Sequence, residues 1–272
     1  MNNILVTGST GQLGRDVVKE LSKRGYSTLS PNRSELNLCS EDSIKNYILN
    51  SNCEAIIHCA AYTAVDKAEY EKDLCIKINA TATKYIAKCA KKLDIPMIYI
   101  STDYVFDETN PINIYGESKL IGEKYVQEIV EKYYIVRTSW VFNIKGKNFI
   151  ETMLSLSKTN NQLSIVNDQI GSPTYTRDLA RLLVDMLETN KYGLYHATNE
   201  GYCSWYEFAN TIFKLADINI DIKAINSNEY VSRAKRPLNS KLSKNKLIEH
   251  GFTPLPLWQD ALKDYLIRRK DY

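Results

Sequence analysis

The sequence predicts an α/β protein in which helices cover both faces of a doubly wound parallel sheet, followed by a smaller α/β substrate-binding lobe at the C-terminal end. Three observations support this fold class. Short β-rich runs alternate with longer helical stretches from residue 3 onward. Strands such as Ile98-Tyr99-Ile100 are continuously apolar, which is typical of strands covered on both faces. A glycine-rich turn directly follows the first strand, as in nucleotide-binding sheets.

Residue type and hydrophobic period predict the individual elements. In the first helix, Leu13, Val17 and Leu21 share one face, while Lys19 and Lys23 face water. Strands are predicted at residues 4–7, 27–30, 55–59, 97–101 and 134–141. Helices between them are predicted at residues 13–24, 41–50, 73–93 and 116–132.

The alternation loosens after about residue 143. Helices predicted at 149–158, 176–189, 204–215 and 257–269 are separated by turns that contain proline and glycine. We therefore expect a dinucleotide-binding domain of the Rossmann type at residues 1–143. Residues 144–272 are expected to form mainly a substrate-binding lobe and to return some elements to the main sheet.

Composition excludes several classes of protein. The 272 residues are 44% hydrophobic and 25% charged, and a net charge of +3 does not favour nucleic-acid binding. The first residues predict neither a signal peptide nor a membrane span. Six cysteines without a C-x-x-C motif and three scattered histidines predict reduced thiols and no metal site. We expect a cytoplasmic protein, either a monomer or a homodimer.

The turn after the first strand carries glycines at every third position, Gly8, Gly11 and Gly14. The first permits the tight strand-to-helix turn, the second lets backbone N–H groups approach a pyrophosphate, and the third lets the helix pack closely on the sheet. The helix N-terminus adds partial positive charge. This motif predicts a bound dinucleotide but no particular reaction. Its full stretch is Val6-Thr7-Gly8-Ser9-Thr10-Gly11-Gln12-Leu13-Gly14.

The end of the second strand bears on the choice between NAD and NADP. An acidic residue that grips the ribose would fall near positions 30–33, where the sequence is Ser30-Pro31-Asn32-Arg33. No carboxylate stands there to repel a 2′-phosphate, and Arg33 could pair with one. A solvent-facing loop arginine is the alternative interpretation. We expect NADPH as cofactor, with NADH tolerated.

Tyr115 and Lys119 form a Tyr-x-x-x-Lys pair at the start of the helix that follows the fourth strand. The spacing places both on one helix face, above strand ends where a nicotinamide would lie. A nearby ammonium stabilises the phenolate and lowers the pKa of a tyrosine from its usual value near 10. Thr102, at the end of the fourth strand, can add a hydrogen bond to the reacting oxygen. These three residues predict proton transfer at a carbonyl.

Together with further stretches, these motifs resemble the dTDP-4-dehydrorhamnose reductase family of extended short-chain dehydrogenases/reductases. The resemblance runs through nearly the whole chain in family order. It is carried by Cys59-Ala60-Ala61-Tyr62-Thr63-Ala64-Val65-Asp66-Lys67-Ala68-Glu69, Ser101-Thr102-Asp103-Tyr104-Val105-Phe106-Asp107, Asn113-Ile114-Tyr115-Gly116-x-Ser118-Lys119-x-x-Gly122-Glu123, Arg137-Thr138-Ser139-Trp140, Asp168-Gln169-x-Gly171-Ser172-Pro173-Thr174-Tyr175 and Arg236-Pro237-x-x-Ser240-x-Leu242.

The resemblance implies a nucleotide-linked 4-keto-6-deoxy sugar as substrate, and it assigns roles to single residues. Cofactor contacts are implied for Thr10, Gly11, Gln12 and Leu13 at the phosphates, Asn37 and Leu38 near the adenine, and Ala60, Ala61 and Tyr62 on the nicotinamide side. Substrate contacts are implied for Thr102, Asp103, Tyr104, Tyr115, Trp140 and Arg236. Arg233 and Lys235 lie beside Arg236 and form a basic cluster suited to a diphosphate, although a solvated charge run would look the same.

Two departures from the family pattern stand out. Family members usually carry a longer, partly acidic loop after the Tyr-Val-Phe-Asp stretch, whereas here residues 107–110 run straight into Pro111. Thr102 and Tyr115 still have enough chain between them to connect strand and helix. We therefore expect the chemistry to be retained but closure over the sugar to be weaker. His58 replaces the usual asparagine, and we interpret it as packing rather than as an acid or base.

The resulting hypothesis is hydride transfer to the C4 ketone, with Tyr115 as proton donor, Lys119 on the nicotinamide ribose and Thr102 polarising the ketone. One alternative is a sugar-nucleotide 4-epimerase or dehydratase of the same superfamily, which would recycle its cofactor. Another is a non-catalytic dinucleotide-binding subunit, since the regulatory β subunit of methionine adenosyltransferase is similar to this family. The shortened loop keeps this last alternative open, while the intact Thr-Tyr-Lys set argues against it.

Overall fold

A computed structural model describes residues 3–105, 111–230 and 232–270. Strands in this part of the chain are β1 (Asn3–Thr7), β2 (Ser27–Leu29), β3 (Ala55–His58), β4 (Met97–Thr102), β5 (Tyr133–Thr138), β6 (Val141–Phe142), β7 (Gln162–Val166), β8 (Ile170–Gly171), β9 (Thr174–Tyr175), β10 (Gly193–His196), β11 (Cys203–Ser204) and β12 (Asp221–Ile225). Helices are α1 (Gln12–Lys23), α2 (Glu41–Leu49), α3 (Val65–Ala68), α4 (Lys72–Ile76), α5 (Ala82–Leu93), α6 (Ile114–Ile129), α7 (Phe149–Leu156), α8 (Thr176–Leu187), α9 (Trp205–Leu215), α10 (Asn245–Glu249) and α11 (Trp258–Arg269).

The central sheet has six described strands in the order β2-β1-β3-β4-β5-β10, and every neighbouring pair is parallel. The strand order reverses at β1, whose neighbours are β2 on one side and β3 on the other. Ligands of open α/β sheets bind at the carboxyl ends of the strands beside such a reversal. The doubly wound fold class is therefore confirmed, and its topology points to the β1–β3 edge.

Side-chain alternation along the strands builds two hydrophobic layers. On β1, Ile4 and Val6 face the layer that contains α1 and α8, while Leu5 faces the layer that contains α2, α5 and α6. These residues are fully buried, because helices cover both faces of the sheet. A third cluster lies in the C-terminal half, where Phe142, Tyr175 and Tyr265 pack together.

Elements beyond residue 143 do return to the main sheet. Helix α8 packs on α1, with Leu179 and Leu183 fully buried, and β10 extends the sheet beside β5. In the same region, Arg137 of β5 forms a buried ion pair with Glu123 of α6 at 2.6 Å. Such a pair holds strand and helix in one geometry, because separating either partner would leave a buried charge uncompensated.

Two predicted elements are interrupted. The strand expected at 134–141 stops at Thr138, because Trp140 has a φ of +49°, and β6 then pairs with β9 outside the main sheet. The helix expected at 73–93 contains a π-helical turn at Lys77–Thr81, between α4 and α5. Insertions of this kind often mark functional sites. No helix among the described residues is both long and apolar enough to cross a membrane.

Candidate active site

The turn between β1 and α1 brings backbone atoms to the carboxyl edge of the sheet. Gly8 has a φ of +68°, and a Cβ atom there would lie 2.7 Å from the nitrogen of Ala60. A Cβ atom on Gly14 would lie 2.2 Å from the carbonyl oxygen of Gly8. Larger residues would push these segments apart. The first turn of α1 has no acidic residue and no side-chain cap, and Thr10 and Gly11 are exposed, so its N–H groups and dipole suit a phosphate.

The next two motif residues differ in what they can offer a cofactor. The side chain of Leu13 is buried in the hydrophobic core, so only its backbone can offer a contact to a cofactor. The Gln12 amide donates to the carbonyl oxygen of Lys147 at 3.2 Å, and Gly146 lies against the same side chain. Gln12 therefore connects the glycine turn to the segment that precedes α7.

The loop after β2 contains an acidic residue that the sequence reasoning did not consider. Glu35 accepts a hydrogen bond from the backbone nitrogen of Asn32 at 2.8 Å, which closes the turn around Arg33. The Asn-x-x-Glu spacing was the available signal. Arg33 and Asn37 are exposed, and Leu38 is half-buried against the sheet. Arg33 thus remains free of the core and accessible from solvent at the end of β2.

The loop after β3 is held by a buried asparagine, Asn79, that the sequence reasoning missed. Its side chain accepts from the backbone nitrogen of Tyr62 at 2.7 Å, and it donates to the Tyr62 carbonyl and to Ser118 Oγ, both at 3.0 Å. Asn79 lies in the π-helical turn and is 1% exposed. It therefore fixes the Ala60-Ala61-Tyr62 segment against α6, one residue from Lys119.

His58 lies beneath this edge and is 1% exposed. Its Nδ1 is 2.6 Å from Thr7 Oγ1 and its Nε2 is 3.1 Å from Thr83 Oγ1. Burial lowers the pKa of His58 to about 3, and the nearby Lys119 adds to this effect. The ring is therefore neutral and hydrogen-bonded on both sides, which agrees with the packing interpretation.

Thr102, Tyr115 and Lys119 meet at the ends of β4 and α6. The Tyr115 hydroxyl lies close to Thr102, whose hydroxyl acts to lower the pKa of the phenol. Lys119 is 2% exposed; its Nζ donates to the Ile100 carbonyl at 2.6 Å and lies 4.0 Å from the centre of the Tyr99 ring. The three predicted catalytic residues are thus brought together at the same edge as the glycine turn.

The electrostatics of this group differ from the simple expectation. Burial raises the pKa of Tyr115, and the Thr102 hydrogen bond opposes this rise. Burial also lowers the pKa of Lys119 to about 7, with Glu123 opposing. In this arrangement the lysine is bonded to a carbonyl rather than to the tyrosine. Tyr115 therefore holds its proton at neutral pH, as a proton donor must.

The Thr102 hydroxyl already has hydrogen-bond partners within the protein. Its hydroxyl donates to Asp103 Oδ1 at 3.0 Å and accepts from the backbone nitrogen of Tyr104 at 3.3 Å. Asp103 Oδ2 accepts from Ser240 Oγ at 2.6 Å. A role for Thr102 in polarising the ketone therefore competes with its bond to Asp103.

A cavity of about 430 Å³ opens beside these residues. Its lining includes Asp103 and Tyr104, which follow Thr102 in the chain, and Trp140, whose indole stacks on Trp205 with ring centres 3.6 Å apart. Trp140 lies between β5 and β6 and has a left-handed backbone conformation, and its side chain lines the cavity. Much of the remaining lining is apolar: Phe149, Met153, Leu156, Leu163, Ile165 and Val166. Trp205 was not among the predicted site residues.

The predicted basic cluster is divided in the structure. Arg236 lines the cavity, and its Nη2 lies 2.8 Å from Asp66 Oδ2. Arg233 is exposed, with its guanidinium 4.6 Å from the centre of the Tyr70 ring, and it does not line the cavity. Arg233 and Arg236 are therefore close in the sequence, but only Arg236 lies at the cavity.

Comparison with known proteins assigns the family. The model of the RmlD substrate binding domain matches residues 1–270. The chain belongs to this family. A dTDP-4-dehydrorhamnose reductase from Aggregatibacter actinomycetemcomitans is 39% identical over an alignment of 289 positions. The alignment covers 97% of this chain and 98% of the relative. The spore coat polysaccharide biosynthesis protein SpsK of Bacillus subtilis is 36% identical, over 99% of this chain and 98% of that protein.

Solved structures of the RmlD family superimpose closely. A dTDP-4-dehydrorhamnose reductase from Bacillus anthracis, in complex with NADP, has a TM-score of 0.94 and 38% identity, covering 98% of this chain and 100% of that one. UDP-glucose 4-epimerase from Thermus thermophilus has a TM-score of 0.82 at 16% identity, and this likeness shows the fold alone. The family resemblance found in the sequence is therefore confirmed.

Proposed function

We propose that this chain is an NADPH-dependent oxidoreductase that reduces the 4-keto group of a dTDP-linked 6-deoxyhexulose, in dTDP-rhamnose biosynthesis. The carrying observation is the meeting of Thr102, Tyr115 and Lys119 at the edge that also holds the glycine turn. Family membership and the names of the relatives support the same reaction. NADH is expected to be a poorer but usable cofactor.

The turn at Gly8 fits a dinucleotide, since α1 begins without a side-chain cap and the backbone segments approach so closely that a Cβ atom on Gly8 would collide with Ala60. Backbone groups at Gly11, Gln12 and Leu13 would hold the phosphates. NADPH, when bound, supplies the hydride. Arg33 would face the 2′-phosphate, Asn37 and Leu38 the adenine, and Ala60, Ala61 and Tyr62 the nicotinamide side.

The side chains of this protein supply the proton and the orientation. The Tyr115 hydroxyl, kept protonated by burial, would protonate the C4 oxygen as it gains charge. Lys119 would turn from the Ile100 carbonyl to the nicotinamide ribose. Thr102 would hold the Tyr115 hydroxyl at the ketone. Trp140 would contact the sugar nucleotide, with Tyr104 at the sugar end.

Arg236 is the cation we propose for the diphosphate, because it lines the cavity while Arg233 does not. A guanidinium can pair with phosphate oxygens through two parallel hydrogen bonds. Its present partner, Asp66, is 45% exposed, so the exchange of one anion for another takes place close to water.

We further propose that residues 1–143 mainly bind the cofactor and residues 144–272 mainly bind the substrate. The cavity lining supports this division, since most of it comes from α7, β7 and the segments around Trp205 and Arg236. The cysteines are free thiols, several of them buried, which suits a reducing compartment such as the cytoplasm. A monomer or a homodimer would both be compatible with this site.

Turnover of added cofactor tests the proposal. Purified protein, NADPH and dTDP-4-dehydrorhamnose should show loss of absorbance at the nicotinamide band with stoichiometric formation of the 4-hydroxy sugar nucleotide. An epimerase or dehydratase would convert a sugar nucleotide without net NADPH consumption. Tight NADPH binding without turnover of any 4-keto-6-deoxy sugar nucleotide would instead support the non-catalytic subunit.

A further inference from the structure

His58 lies within a chain of buried hydrogen bonds whose directions can be assigned. The Thr83 hydroxyl donates its hydrogen to the carbonyl oxygen of Asn79 at 2.7 Å, and a carbonyl oxygen can only accept. The Thr83 oxygen is therefore the acceptor in its 3.1 Å contact with His58 Nε2. It follows that Nε2 of His58 carries a hydrogen.

The other ring nitrogen of His58 must then be an acceptor. Burial and the charge of Lys119 both disfavour a second hydrogen on the ring, and they lower the pKa of His58 to about 3. Because the neutral ring carries one hydrogen, Nδ1 accepts from the Thr7 hydroxyl, which lies 2.6 Å away. The Thr7 oxygen in turn accepts from the backbone nitrogen of Ala60 at 3.2 Å. One tautomer of His58, with its hydrogen on Nε2, thus suits the contacts on both sides of the ring.

These hydrogen bonds hold both ends of the segment from Ala60 to Tyr62. Thr7, which binds the Ala60 nitrogen, directly precedes Gly8 of the glycine turn. Asn79, at the other end of the chain of bonds, holds the backbone of Tyr62 through its side chain. The side chains that form this connection are at most 1% exposed: Thr7, His58, Asn79 and Thr83. The His58 ring therefore joins the strand before the glycine turn to the π-helical turn that contains Asn79.

We propose that His58, as the tautomer with its hydrogen on Nε2, is a positioning residue for the nicotinamide end of the cofactor. The inference rests on the proposed function, in which the segment from Ala60 to Tyr62 lies beside the nicotinamide. The buried ring acts through its neighbours, since the Thr7 oxygen can face the Ala60 N–H only while the Thr7 hydrogen has an acceptor at Nδ1. Loss of that acceptor leaves a buried hydroxyl to find another partner, and the bond to Ala60 is then lost.

The tautomer can be measured on the natural chain without any substitution. Long-range proton–nitrogen spectra of protein labelled with ¹⁵N-histidine distinguish a ring nitrogen that carries a hydrogen from one that does not. Near pH 7, His58 should show a protonated Nε2 and an unprotonated Nδ1. The chain has three histidines, so single substitutions of His196 and His250 assign the signals. A hydrogen on Nδ1, or on both nitrogens, would overturn the proposal.

Two amide substitutions separate the two sides of the ring. The short amide of His58→Asn can accept from Thr7 in place of Nδ1, whereas the longer amide of His58→Gln can reach Thr83 in place of Nε2. His58→Gln should therefore raise the Kd for NADPH and for NADH by roughly tenfold each, because Thr7 loses its acceptor. His58→Asn should raise them by no more than a few-fold. Equal losses in the two variants would contradict a role that acts through Thr7.

Thr7→Val gives a second route to the same result. It removes the bond to the Ala60 nitrogen and keeps the His58 ring, so NADPH and NADH should again bind roughly tenfold more weakly. His250→Gln is the matched control, because it replaces a histidine that is hydrogen-bonded to Tyr195 on β10, at the far side of the sheet from β1. This control should bind both cofactors as the natural chain does. Unchanged cofactor affinity in Thr7→Val would overturn the proposal.

Adenosine 2′,5′-bisphosphate separates positioning of the nicotinamide from general damage to the fold. This compound has the adenosine end of NADPH and its 2′-phosphate but no nicotinamide, so its Kd should be the same in the natural chain, His58→Gln and Thr7→Val. If it weakens by the same factor as NADPH, His58 has only a structural role.

These binding measurements do not require turnover, so the two proposals fail separately. A natural chain that binds NADPH tightly but reduces no 4-keto sugar nucleotide would end the proposed function, while the comparison of cofactor affinities would still decide the role of His58. A natural chain that reduces the substrate, with NADPH affinity unchanged in His58→Gln, would keep the function and end the positioning role. A natural chain that binds neither NADPH nor NADH would overturn both.

Discussion

The two walls of the cavity are held in place in different ways. On the cofactor side, close contacts to the backbone dominate: Gly8 lies against Ala60, and the buried Asn79 side chain holds the backbone of Tyr62. On the substrate side, side chains from distant segments meet at partly exposed positions. Arg236 reaches Asp66 across 170 positions in the sequence, and Trp140 stacks on Trp205.

This contrast determines how each wall should respond to change. A buried group that loses its partner costs about 1–3 kcal/mol, and it also displaces whatever it positions. An exposed pair costs little by itself, because water replaces the lost partner. Changes on the cofactor side should therefore affect turnover, whereas changes on the substrate side should mainly affect affinity and choice of sugar nucleotide.

The largest effect is expected at Tyr115, the proposed proton donor. Tyr115→Phe should reduce kcat by roughly 10²–10⁴-fold, the usual contribution of a positioned acid, with NADPH affinity almost unchanged. Stopped-flow oxidation and cofactor fluorescence titration measure the two quantities. Tyr104→Phe is the matched control, because its ring meets that of Tyr115 edge-on with centres 5.4 Å apart. If the two variants lose activity equally, Tyr115 has no special part in proton transfer.

The sequence signals of the cofactor side are local. The spacing of Gly8, Gly11 and Gly14 and the pair of Tyr115 and Lys119 lie within single strand–turn–helix units. The same reasoning missed Asn79, since a buried asparagine has no short-range signature that separates it from a solvated one. The π-helical turn that places Asn79 beside Tyr62 could not be predicted from the sequence either.

The contacts of the substrate side are long-range, and short motifs carry no signal for them. Arg233 and Arg236 are close in the sequence and suggested one basic patch, but Tyr70 and Asp66 draw them to different places. Trp205 joins Trp140 only through the fold of the lobe. The identity of a residue could be read from the chain, whereas the partner that decides its role could not.

The divided cluster gives the second prediction. Arg236→Ala should raise KM for the sugar nucleotide by about 10–100-fold with little change in kcat, corresponding to about 1.5–3 kcal/mol for a hydrogen bond to a charged group. Arg233→Ala should change KM by no more than a few-fold. Asp66→Asn breaks the same ion pair but keeps the arginine, so its loss should be smaller than that of Arg236→Ala. An equal rise in KM for Arg233→Ala and Arg236→Ala would show that both arginines bind the diphosphate as one basic cluster.

The third prediction concerns Arg33, which is exposed although the other contacts described on the cofactor side are at least partly buried. Arg33→Ala should weaken NADPH binding by roughly tenfold and leave NADH binding unchanged, because only NADPH carries the 2′-phosphate. Isothermal titration with both cofactors measures this difference. Lys23→Ala, at the C-terminal end of α1, removes an exposed cation elsewhere and should affect neither. Equal weakening of both cofactors by Arg33→Ala would show that the arginine does not read the phosphate.

The smallest effect concerns the shortened loop, whose residues 106–110 lie outside the described part of the chain. Ile112, just beyond them, is 43% exposed, and α6 begins at Ile114, so few residues separate β4 from the proton donor. We expect a loop of this length to be too short to contact a bound sugar, so selectivity should depend on the nucleotide end, at Trp140 and Arg236.

Grafting a family-length loop between positions 106 and 111 tests this idea. The grafted enzyme should discriminate a few-fold more strongly among 4-keto-6-deoxy sugar nucleotides, measured as ratios of kcat/KM, because loop closure adds contacts to the sugar. A glycine–serine insert of equal length is the matched control, since it supplies length without side chains to contact the sugar. NADPH affinity should be the same in all three proteins, because none of the proposed cofactor-binding residues belongs to the altered segment. If the natural chain is already as selective as the grafted one, the loop does not control specificity. The contacts that select the sugar must then come from residues of the described structure, such as Asp103 and Tyr104, and residues beside the proposed proton donor would also determine specificity.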